Sequence, residues 1–75
     1  MKTMYVKLND VKDIYQLGVQ AGSVSGDVTV RKGIYVVDGK SLMGVFSLSL
    51  REGVTVEYPE TAVEFENYIK NFKAD

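Results

Sequence analysis

The sequence predicts an α+β domain, an open-faced sandwich in which three helices cover one face of a small sheet, in the order β-α-β-β-α-β-α. Three observations carry this. β-branched runs stand at residues 27–31, 34–38 and 54–58, and an alternating apolar run at 4–8. Apolar residues recur at three- and four-residue steps from Ile14 to Val24 and from Ala62 to Phe72, the period of a helix packed on one side. Turn formers separate these runs, with Asn9-Asp10, Lys32-Gly33, Gly39-Lys40 and Glu52-Gly53 at changes of period.

Met4, Val6 and Leu8 face one way on the first strand. Asn9 or Asp10 then caps a helix whose first turn gains from the negative charge of Asp13. Its core stripe is Ile14, Leu17, Ala21 and Val24, and Gly22, Ser23 and Gly26 end it. Strands over 27–31 and 34–38 form a hairpin across Lys32-Gly33, with glycine supplying the positive φ of a tight turn. Ser41 is expected to cap a short second helix running to about Leu50. After the turn at 51–53 and the strand at 54–58, Pro59 suits the start of a last helix because its missing N–H would have been unpaired. That helix buries Ala62, Phe65, Ile69 and Phe72, while Glu60, Glu64 and Glu66 precede Lys70 and Lys73 in the order the dipole favours.

Composition narrows the chemistry. A chain of 75 residues with net charge -1 makes one domain, residues 1–75, without a basic surface for nucleic acid or an acidic tail. It contains no cysteine and no histidine, so disulfides, thiol nucleophiles, the usual zinc sites and imidazole acid–base catalysis are excluded together. No cofactor is expected, and no pair among Asp38, Glu52 and Glu57 has a spacing that demands acid–base work. The N-terminus reaches Lys7 before it could build a signal-peptide core, and no window approaches a membrane span; a cytoplasmic location is expected. Tyr5, Tyr15, Tyr35, Tyr58 and Tyr68 read as edge-of-core residues with wet hydroxyls. Gly39-Lys40-Ser41 is similar to the end of a phosphate-binding loop, but position 34, where the upstream glycine belongs, is Ile.

The segment Lys40-Ser41-Leu42-Met43-Gly44-Val45-Phe46-Ser47-Leu48 resembles the regulatory-serine segment of HPr, the histidine phosphocarrier family of the bacterial sugar phosphotransferase system. The resemblance implies the same element order, with a four-stranded antiparallel sheet under three helices. The family's phosphorylatable histidine lies in a Gly-x-His-Ala-Arg-Pro-Ala segment at the start of the first helix. Counting back without gaps from the serine segment puts Asp10 at the histidine, Lys12 at the arginine and Asp13 at the proline, a degenerate phosphohistidine site. Histidine phosphorelay from enzyme I is therefore expected to be lost. A Crh-like member, lacking that histidine and keeping the serine, is the nearest pattern.

The resemblance implies that Ser41 is phosphorylated by a dedicated ATP-dependent serine kinase, and that the following helix docks proteins such as a transcriptional regulator or an enzyme. Phosphate at a helix N-terminus is met by unpaired N–H groups and the dipole, so the fold survives the modification. Leu42, Met43 and Phe46 are the expected docking patch, with Lys40 pairing an acidic partner or the phosphate. Three readings follow: a non-catalytic regulatory module, a phosphotransfer component using Asp10 or Asp13 through an acyl phosphate, and a drifted domain of the same fold with an unrelated binding role.

Overall fold

The computed structural model describes residues 1–41 and 52–74. Along the chain come β1 (Lys2–Val6), α1 (Val11–Gly22), β2 (Thr29–Lys32), β3 (Tyr35–Asp38), a 3₁₀ turn (Gly39–Ser41), β4 (Val54–Tyr58), α2 (Val63–Ile69) and a second 3₁₀ turn (Lys70–Phe72). The strands form one antiparallel sheet in the order β1-β4-β2-β3. The chain is thus α+β, with an open four-stranded antiparallel sheet and, among the described residues, two α-helices. The expected second helix after Ser41 falls on residues 42–50, outside the described residues.

Alternation places the core. Val54, Val56 and Tyr58 on β4 are buried while Thr55 and Glu57 between them are not, and Val6 and Val30 join them from the neighbouring strands. Against these pack Ile14, Leu17 and Ala21 of α1 and Phe65 and Ile69 of α2, with Val24, Ala62 and Phe72 partly buried at the margin. The two stripes read from sequence are therefore the ones that face the sheet.

Local chemistry explains where the elements begin and end. Asp10 is the N-cap of α1; its carboxylate accepts the Asp13 amide at 3.1 Å, and Asp13 reaches back to accept the Asn9 amide at 3.1 Å. This is a capping-box variant built from two aspartates, in which the returning carboxylate meets the amide of Asn9, one residue before the cap. The hairpin differs from expectation by one residue. Lys32 pairs with Tyr35, so the turn is Gly33-Ile34, with Gly33 at φ +58 and no positive φ at Ile34. Glycine takes the first central position, as a type II′ turn requires, and Ile34 is pushed into solvent. Pro59 does not begin α2 either. It opens a turn closed by the Ala62 amide on the Pro59 carbonyl at 3.0 Å, and the helix starts four residues later, at Val63.

The outer edge of β1 is covered by the chain's own tail. Lys7 donates its amide to the Phe72 carbonyl and Ala74 donates to the Tyr5 carbonyl, both at 2.9 Å, around a bridge between Val6 and Lys73. This pairing satisfies edge groups that would otherwise invite another strand. Glu66 closes the same corner. It accepts the Tyr58 hydroxyl at 2.7 Å and the Lys2 ammonium at 2.9 Å, whereas its expected helical partner Lys70 acts on it more weakly. Burial, then the hydrogen bond to Glu66, raises the Tyr58 hydroxyl from 10 to about 12, and the Tyr58 and Lys2 bonds hold the Glu66 carboxyl below its ordinary value. Tyr58 is thus not an edge residue with a wet hydroxyl. Nor is Tyr68, whose hydroxyl is buried with no hydrogen-bond partner among the described residues.

Candidate functional site

The 3₁₀ turn Gly39–Ser41 packs against α1 and is held from three directions. Gly39 donates its amide to the Val28 carbonyl at 2.6 Å, and the Asp38 carboxylate accepts the Lys40 amide at 2.9 Å. The Lys40 ammonium reaches the Val24 carbonyl at 3.1 Å, just beyond the end of α1. Gly39 itself is buried, and a Cβ there would lie 2.6 Å from Val28 Cγ1, so only glycine fits. Ser41 ends the turn and is exposed. The two residues before it carry the anchoring bonds.

Of the residues singled out from sequence, Lys40 and Ser41 are placed together on this turn; Leu42, Met43 and Phe46 lie outside the described residues. The group at the other end of α1 is placed differently. Asp10 and Asp13 come together in the capping box, each carboxylate accepting a backbone amide, and Lys12 is exposed on the first turn. The 12-residue α1, about 18 Å long, separates this box from the Val24 carbonyl that Lys40 holds. The two groups do not form one site through the Lys40 head group.

Sequence reasoning missed Asp38 and Val24 as the supports of Lys40. For Asp38 the signal was present, since an aspartate two residues before an amide it can accept is a common turn device. For Val24 there was none, because a backbone carbonyl carries no sequence mark. A hollow of about 350 Å³ beside Val24 is lined by the segments 23–25 and 61–65 and contains one titratable side chain, Glu64. It supplies no acid–base pair. Among the described residues, no three carboxylates cluster as a metal site, and no helix is long and apolar enough to cross a membrane. Comparison of the chain with protein-family models, with curated proteins and with solved structures found no match.

Proposed function

We propose that this chain is a non-catalytic, HPr-like regulatory domain that acts in the cytoplasm by binding proteins and is switched by phosphorylation of Ser41. The observation that carries the reading is the exposed Ser41 on a turn anchored at Gly39, Asp38 and Lys40. A kinase needs an accessible hydroxyl, and a switch needs the added charge to leave the fold in place. Both needs are met when the turn is tied to Val28 by its backbone and to Val24 by the Lys40 side chain, and Ser41 is exposed. The order of the described elements and the antiparallel sheet agree with an HPr-like fold, whose second helix would occupy residues 42–50.

Lys40, Leu42, Met43 and Phe46 are the proposed contact residues for a transcriptional regulator or an enzyme. Acyl phosphate chemistry at Asp10 or Asp13 is the weaker reading, because both carboxylates accept backbone amides that close a helix end. The test is intact-mass analysis after incubation with HPr-type serine kinase plus ATP, and separately with enzyme I plus phosphoenolpyruvate. One added phosphate from the first and none from the second is expected. Phosphate from enzyme I alone would replace this reading with phosphotransfer.

A further inference from the structure

The tail, residues 72–74, lies along the outer edge of β1 as a short antiparallel strand. In such a ladder every second residue turns its N–H and C=O to the same edge. On β1 and the residue after it these are Thr3, Tyr5 and Lys7, because Tyr5 accepts the Ala74 amide and Lys7 donates to the Phe72 carbonyl, both at 2.9 Å. The described bonds of the tail stop at Tyr5. The edge itself runs on to Lys2, beside a hollow of about 380 Å³ that both Thr3 and Ala74 line. Phe72 and Ala74 are half-buried, and Lys73 between them is exposed.

We propose that the tail is a displaceable strap, and that the edge beneath it binds an extended peptide segment of a partner protein as an added antiparallel strand. Two backbone bonds and one half-buried aromatic ring hold the strap, whereas β4 pairs with the other edge of β1 over all five of its residues. The strap is the weaker of the two pairings and opens first.

The tail also shows what the edge accepts: an aromatic residue, then a position exposed to solvent, then a small residue. A longer segment of that pattern reaches Thr3 as well, whose outward groups lie ahead of Ala74 in the antiparallel direction. That additional pair opposes the advantage of the tail, which is tethered and so acts at an effective concentration on the order of millimolar. Binding is therefore weak with the strap closed and tighter once it is open. This inference is independent of the state of Ser41.

The absence of native cysteine makes a reversible lock available. Val6 and Lys73 face each other in a non-hydrogen-bonded pair, the type with a Cα separation of about 4.5 Å, which a disulfide spans. In Val6→Cys/Lys73→Cys the oxidised form holds the strap closed and the reduced form releases it. The probe is a synthetic peptide with the sequence of residues 70–75 followed by two alanines, titrated against each form by amide NMR with a scrambled peptide as control. Shifts at Thr3, Tyr5 and Lys7 are expected in the reduced form, with several-fold weaker binding in the oxidised form. Ala74→Pro, which lacks the amide that Tyr5 accepts, should bind the peptide several-fold more tightly than the wild type. In the wild type alone, amide exchange at Lys7 should run about tenfold or more faster than at Val56 in the middle of the sheet. Equal affinity of the oxidised and reduced forms, no binding to either, shifts centred away from β1, or exchange of Lys7 at the rate of Val56 would each overturn the proposal.

Discussion

At the N-terminal end of α1 the carboxylates of Asp10 and Asp13 each accept an amide within four residues of themselves, whereas at the C-terminal end Lys40 reaches a carbonyl 16 residues away. The first arrangement is local and closes a helix. The second joins two parts of the chain and leaves the neighbouring residue Ser41 exposed. The aspartates are occupied by capping, whereas Ser41 ends a turn whose other two residues carry the anchoring bonds.

The largest loss is expected at Gly39, which anchors the Ser41 turn. Gly39→Ala drives a Cβ into Val28, a core residue, and should destabilise the domain by about 2–3 kcal/mol in denaturant unfolding. Near-wild-type stability would show that the turn is not anchored as described. Next in size is a pH effect at the corner shared by β4 and α2, where Tyr58 donates to Glu66. Because the folded state raises Tyr58 from 10 to about 12, its contribution is fully present below pH 10 and is lost as pH climbs to about 12, on the order of 2 kcal/mol. Tyr58→Phe should flatten that loss. In acid the sign reverses for Glu66, whose lowered value means that stability present above its ordinary pKa of 4.5 falls away as pH drops through the folded value.

Asp10→Ala tests the capping end, with an expected loss of about 1 kcal/mol in thermal or denaturant unfolding. Serine at that position should restore most of it, which phosphotransfer chemistry at Asp10 would not require. Lys40→Gln tests the other end and should change stability by no more than about 0.5 kcal/mol, because an exposed ammonium on a carbonyl contributes little. Its effect should appear in the NMR shifts of Val24 and its neighbours. A large loss of stability there would make Lys40 a structural residue first.

Much of the fold was legible because it rests on periodicity. The stripe of Ile14, Leu17 and Ala21, the alternation of Val54, Val56 and Tyr58, and the cap at Asp10 all follow from spacing and side-chain chemistry. The errors arose where two local solutions compete. Lys32-Gly33 and Gly33-Ile34 both place glycine in a two-residue turn, and cross-strand pairing chose between them. Pro59 could begin a helix or a turn, and α2 begins where Phe65 and Ile69 face the core. The tail bridge between Val6 and Lys73 and the carbonyl that Lys40 holds are backbone contacts between distant segments, which no side-chain pattern announces. For the candidate site, sequence placed Lys40 in a turn and Ser41 at the helix cap after it, but not the groups that anchor the turn.

The proposed function puts the working group on the Ser41 turn and not in the Asp10 cap. The most direct measurement is phosphate incorporation, site-mapped by mass spectrometry, for the wild type, Ser41→Ala and Asp10→Ala after incubation with HPr-type serine kinase and ATP. One acid-stable phosphate is expected in the wild type and in Asp10→Ala, and none in Ser41→Ala. Incorporation that survives Ser41→Ala, or no incorporation in the wild type, would contradict it.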